Sequence, residues 1–115
     1  MATKEEMYDA AVDLFGEGKL EAAVAKYEEA LAVDPAYIDA LHGLAMAHAG
    51  RQDFDRAIAV GKRVCELDPD DVLAHTSLSM FYQQKGMIPE AEAESAKARM
   101  LDWKRQLKEK AGSSS

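Results

Sequence analysis

Apolar residues recur along the chain at helical spacing in paired bouts, each pair broken near Gly18, near Gln52 and Asp53, or near Gly86. Those positions suit turns, so each unit reads as helix, short turn, helix. The units share one offset. The stretch "AVDPAY" at Ala32–Tyr37 returns as "ELDPDD" at Glu66–Asp71, with Pro35 and Pro69 34 residues apart. The same offset aligns Ala11 with Ala45 and Ser79, Leu20 with Phe54 and Ile88, and Ala23 with Ala57 and Ala91. It also aligns Ala30 with Val64 and Ala98, Val33 with Leu67 and Leu101, and Asp34 with Asp68 and Asp102. The pattern predicts three tandem helix pairs, over residues 4–37, 38–71 and 72–105, with helix continuing through 106–110 and a small, polar, disordered tail at 111–115.

Local chemistry supports these elements. Thr3 with Glu6 has the form of a capping box, Asp53 can cap the fourth helix, and Pro35 and Pro69 fall near first-turn positions that need no amide donor. Small residues mark helix crossings, because an alanine on each helix lets the backbones approach. Ala11 is expected to meet Ala23, Ala45 to meet Ala57, and Ser79 to meet Ala91. Leu20, Phe54 and Ile88 should fill the gap near each turn, with Ala10, Leu44 and Leu78 beside them. The third unit has Trp103 where a proline is due, so its last helix runs on. Ala91, Ser95, Ala98 and Asp102 then face inward, while Ala96, Met100, Trp103 and Leu107 form a separate apolar stripe flanked by lysine and arginine.

Length and composition bound the class. With 115 residues, 48% hydrophobic, 30% charged and 7% aromatic, the chain suits one all-α domain with a single cooperative core. It holds no run of roughly 18 apolar residues, so no membrane is expected as a partner. The start "MATKEEMYDAAVD" is acidic and amphipathic where a secretory signal would be apolar, which points to the cytoplasm. Cys65 stands alone and reads as a small buried hydrophobe. A net charge of −7 argues against nucleic acid. The distribution is uneven: residues 1–34 carry nine acids against three bases, whereas 97–110 carry six bases against two acids, Asp102 and Glu109. This polarity allows head-to-tail attraction between copies or an oriented partner.

Catalytic constellations are not evident. His42 and His48 lie about 240° apart on one helix and cannot share a ligand. His48 aligns with Leu14 and Tyr82, and His75 with Met7 and Leu41, which marks both as packing residues. Glu90, Glu92 and Glu94 should form a solvated face. No phosphate-binding loop, dinucleotide fingerprint or zinc-protease motif occurs. An enzyme, a cofactor and a metal site are therefore not expected.

The small, large and proline positions, recurring on a 34-residue period from Lys4 to Arg105, resemble the tetratricopeptide repeat family. Gly61 departs from the pattern where the first unit has Tyr27, as do Gln52 at a turn glycine and Trp103 at the third proline. The resemblance implies an α-solenoid of three stacked helix-turn-helix repeats, six helices in all, the last extended. It implies that the first helices line a concave groove holding a peptide or helix of another protein. Inward residues then read as triplets: Val12, Met46 and Met80; Tyr8, His42 and Thr76; Asp9, Gly43 and Ser77; Phe15, Ala49 and Gln83. Leu73 joins this surface. The methionine row suits varied apolar partners. Some family members clamp acidic chaperone C-termini with lysine, asparagine and arginine. Here Tyr8, Val12, Gly43, Leu73 and Ser77 stand at those positions, so that mode is not expected.

Two roles follow. One is a protein-binding adaptor using the groove. The other is an assembly subunit that builds homo-oligomers or sits in a larger complex, associating through its terminal helices and the stripe of Ala96, Met100, Trp103 and Leu107.

Overall fold

The first helix begins where the sequence supplies partners for its unpaired amides. Thr3 Oγ1 accepts from the Glu6 amide at 3.1 Å, and the Glu6 carboxylate accepts from the Thr3 amide at 3.2 Å, closing a capping box ahead of α1 (Lys4–Gly16). Asp53 accepts from the Arg56 amide at 3.3 Å to start α4 (Phe54–Leu67), and Asp71 from the Ala74 amide at 3.0 Å to start α5 (Val72–Gln84). The helices α2 (Leu20–Val33) and α3 (Ile38–Gly50) begin without a side-chain cap. The structure, a computed structural model, describes residues 2–113, and α6 (Ile88–Ser113) completes an all-helical set among them.

One device closes all three hairpins. Gly18, Gln52 and Gly86 adopt left-handed backbone with φ of 78°, 62° and 76°. The chain then folds back so that the amides of Lys19, Asp53 and Met87 each bond the carbonyl five residues earlier at 2.9 Å. The aspartate-proline junctions do something different. Pro35 and Pro69 are not at first helical positions, as expected from the sequence, but directly follow the C-caps Asp34 and Asp68, two residues ahead of the N-caps Tyr37 and Asp71. A residue before proline is driven out of helical backbone, and Asp34 and Asp68 are extended (φ −139° and −143°). Each carboxylate accepts from the amide two residues on at 3.1 Å, so the pair ends one helix and aims the next.

The hairpins α1–α2, α3–α4 and α5–α6 stack in chain order, with α2 against α3 and α4 against α5. The result is an α-solenoid measuring 49 × 38 × 24 Å. Ala11, Ala23, Ala45 and Ala57 are buried at the crossings, and in the third hairpin the Ser79 hydroxyl donates directly to the Ala91 carbonyl at 2.8 Å. The junctions between hairpins divide their volume differently. At the first, Tyr27 lies over Gly43, so closely that a Cβ there would sit 2.4 Å from the ring. At the second, Gly61 replaces the tyrosine and Leu78 fills the space, 2.8 Å from where a Gly61 Cβ would be.

The end faces of the stack are polar. Glu6, Asp9 and Asp13 stand where the second hairpin has Ala40, Gly43 and Ala47 and the third has Ala74, Ser77 and Phe81. The internal residues are buried at the junctions, except Gly43, which is partly covered, whereas the three carboxylates are exposed. At the other end Glu92 stands where Val24 and Ile58 are buried, and Arg99 where Leu31 and Cys65 are partly covered.

Two expectations need correction. Leu20 does not serve its own turn alone, for it lies against Gly50 of the next hairpin; Ile88 meets no further hairpin among the described residues and is 47% exposed. The last helix runs to Ser113 instead of ending at Lys110, so residues 111–113 are helical. The remainder of the expected tail, 114–115, lies outside the described residues.

Candidate functional site

The first helices of the hairpins build an inner wall. Two adjoining cavities open on it, of about 310 and 290 Å³, and they share Phe15 and Met46. Tyr8, Tyr27, Asp39, His42, Gly43 and Leu73 line the first. Ala49, Gly50, Phe54, Met80, Phe81 and Gln84 line the second. Together they make one apolar groove across α1, α3 and α5.

Aromatic packing fixes its N-terminal end. Tyr8 is tilted against Tyr27 with ring centroids 6.1 Å apart and against Tyr37 at 5.5 Å. Lys4 holds this corner, with its ammonium 5.0 Å from the Tyr37 ring and 2.6 Å from the Asp34 carboxylate. Burial raises the Tyr27 and Tyr37 hydroxyls above the ordinary phenol range, so both remain neutral donors. The His42 edge is also fixed. Its Nε2 donates to Asp71 Oδ2 at 2.9 Å. Burial alone would raise the Asp71 carboxyl, but the bonds from His42 and from the Ala74 and Leu73 amides outweigh it and hold the group below the usual carboxylate range. Asp71 thus caps α5 and orients a groove side chain from one position.

Most residues assigned to the groove from sequence lie on this wall, with differences. Tyr8, His42, Gly43, Met46, Leu73 and Met80 border the cavities. Val12, Asp9 and Gln83 are exposed on the same helices without lining them, and Thr76 is exposed with its hydroxyl bonded back to the Val72 carbonyl at 3.0 Å. Ser77 is not a groove residue: it is 8% exposed. Its row faces the preceding hairpin, as Gly43 does under Tyr27, and Asp9, which no hairpin precedes among the described residues, is exposed. Sequence reasoning missed Tyr27, Asp39, Phe54, Phe81 and Gln84. Asp39 was within reach, since Glu5, Asp39 and Leu73 form a triplet at the common offset. Tyr27 comes from a second helix and enters through the space that Gly43 leaves.

The terminal stripe is exposed but divided. Ala96 and Met100 border a separate cavity of about 500 Å³, together with Cys65, Pro69, His75, Lys97 and Leu101. Trp103 and Leu107 lie farther along α6, 58% and 49% exposed. In the cavity floor, Cys65 Sγ is 3.8 Å from His75 Nδ1, which is 2.6 Å from Glu94 Oε2. Glu94 is therefore not part of a solvated face: it is drawn inward by a histidine on α5. This Cys–His–Glu set does not activate a thiol. His75 Nε2 is spent on the Pro69 carbonyl at 2.9 Å and Nδ1 on Glu94, and burial pushes the Cys65 thiol up, away from thiolate. His48 is buried with Nδ1 unpartnered among the described residues, and burial lowers its pKa below the usual imidazole value. Among the described residues no cluster of three His, Cys, Asp or Glu is placed to hold a metal ion, and no helix is long and apolar enough to cross a membrane.

Solved structures share this architecture. MamA superposes over 90% of the chain with a TM-score of 0.87 at 24% identity, and the chain spans 61% of the MamA chain. The second TPR of Spaghetti (RPAP3), bound to the HSP90 peptide SRMEEVD, superposes over 86% of the chain and 92% of its own, with a TM-score of 0.81 at 23% identity. The type III secretion translocator chaperone SycD of Yersinia enterocolitica gives 85%, 73%, 0.82 and 22% for the same quantities. At such identities the likeness concerns the fold alone. No curated protein sequence matches the chain significantly. The tetratricopeptide repeat model matches residues 8–72, more than half of the chain, and with three stacked helix pairs in register the chain belongs to the tetratricopeptide repeat family.

Proposed function

We propose that the protein is a non-enzymatic interaction module whose groove holds an apolar segment, peptide or helix, of another protein. The observation that carries this is the continuity of the two cavities through Phe15 and Met46, with exposed methionines at Met46 and Met80 along them. Methionine adapts its shape to varied apolar surfaces. The Spaghetti domain with its HSP90 peptide, and SycD in complex with a peptide of the translocator YopD, show that neighbours of this fold hold peptides. Among the described residues neither cavity is lined by lysine or arginine, so the groove suits an apolar anchor and not a terminal carboxylate.

A phage-displayed random peptide library, followed by titration of the selected peptides, tests this. Replacing Met46 and Met80 by glutamate removes two apolar contacts, each worth about 1.5 kcal/mol or more when buried, and should weaken binding at least about tenfold. Selected peptides whose affinity ignores these changes but falls with Trp103→Glu would move the site to the terminal helix. That is the second role, assembly through the ends of the chain, and the exposure of Met100, Trp103 and Leu107 favours it.

A further inference from the structure

We infer that the groove of one copy receives the C-terminal half of α6 from a second copy, so that the protein associates head to tail. The inference rests on the groove being a binding surface, and it names an occupant. At 26 residues α6 is twice the length of α5, which has 13 and is the helix α6 chiefly packs on. Past Leu101, which borders a cavity with Asp70 and Val72, α6 extends beyond the start of α5, and its apolar side chains there are exposed. On that overhang Trp103 and Leu107 stand one turn apart on one face, with Met100 a turn before them. Two bulky anchors about 6 Å apart along a helix suit two adjoining apolar cavities.

Charge selects the partner and the polarity. Arg105 is neutralised by Asp102 and Glu109, and Lys97 by Glu94. Lys104 and Lys108, flanking the anchors, have no ion-pair partner among the described residues, and neither do Glu5, Asp9, Asp13 and Asp39 on the N-terminal side of the groove. Asp39 lines the first cavity, and Glu5 occupies the equivalent place on α1. Tail in groove sets lysines beside these carboxylates. Tail against tail would bring like charges together. Stacking end on end would press Glu6, Asp9 and Asp13 against a face that carries Glu92 and Arg99, so charged groups would be enclosed where internal junctions bury apolar or small residues. Because each copy offers one groove and one tail, the contact is heterologous.

Sedimentation of the full chain over a concentration series tests the inference with two variants, one of the groove (Met46→Glu with Met80→Glu) and one of the tail (Trp103→Glu with Leu107→Glu). All four positions are exposed, and circular dichroism checks that helix content is kept. The wild type should associate, less so as salt rises. Each variant alone should be monomeric, and an equimolar mixture should form a two-copy complex, since one supplies an intact tail and the other an intact groove. Lys104→Glu with Lys108→Glu should also dissociate the wild type, and Glu5→Lys with Asp39→Lys in the other copy should restore pairing. A groove variant that still self-associates means tail-to-tail contact and overturns the inference, as does a tail variant that still self-associates. A monomeric wild type overturns it too, while peptide capture by the groove would stand or fall separately.

Discussion

Gly43 offers a test in which two known effects have opposite signs. Inside a helix, replacing glycine by alanine ordinarily stabilises by about 1 kcal/mol. Here the added Cβ would lie 2.4 Å from Tyr27 Cε1 and Cζ and 2.7 Å from its Oη. Carbon atoms in ordinary contact sit about 3.5–4.0 Å apart, so the ring would have to retreat by roughly 1 Å or more. It has little room, because Tyr27 is 3% exposed and Tyr8 is tilted against it. Overpacking of this kind costs about 1–3 kcal/mol, and the steric effect should win, leaving Gly43→Ala destabilised by about 1 kcal/mol. In a Tyr27→Leu background the clashing atoms are gone and the same change should stabilise by up to about 1 kcal/mol. The coupling between the two sites should be about 1–3 kcal/mol. Urea unfolding followed by far-UV circular dichroism on all four proteins measures it. If Gly43→Ala raises the midpoint in both backgrounds, Tyr27 does not lie on Gly43 and the first cavity is not shaped as described.

Gln52 carries a left-handed φ of 62° where the other two turns have glycine, so Gln52→Gly should raise stability by about 0.5–1 kcal/mol, read as a higher melting temperature. Gly18→Ala and Gly86→Ala should lower it by about 1 kcal/mol although nothing lies within 4 Å of the new Cβ, a purely conformational cost. The depressed pKa of His48 gives a signed pH effect: the unfolded chain takes up a proton near pH ~6.5 and the folded one only lower down, so its contribution is intact above that value and is lost as pH falls through the window. His48→Leu should flatten that slope in urea titrations and, by removing a buried unpartnered nitrogen, add about 1 kcal/mol at neutral pH.

The repeat period was legible because stacking forces it: a crossing tolerates only small side chains, so Ala23, Ala57 and Ala91 must recur. Turn positions were legible because left-handed backbone selects glycine, and Gln52 stands out as the exception. The junction prolines were misplaced because a proline near a helix start usually serves the first turn, whereas here the aspartate before it accepts the bonds that set the chain direction. Ser77 was misassigned because alignment gives a residue's row but not whether another hairpin precedes it. Glu94 could not be read from α6 alone, since the histidine that draws it inward lies 19 residues earlier on α5. Tyr27 was missed for a similar reason: it belongs to a second helix and reaches the wall over Gly43, a contact that α2 alone does not reveal.

The unequal junctions also make the hairpins non-interchangeable. The first can stand only at the front, since Asp13 elsewhere would fall where Ala47 and Phe81 are wholly enclosed. It can precede only the second, since Ser77, the counterpart of Gly43, already carries the methylene that Tyr27 does not admit. Excising the middle hairpin would therefore not yield a shorter working array, and shuffling the units would fail even though their periods agree. Order along this chain is enforced by shape at each seam.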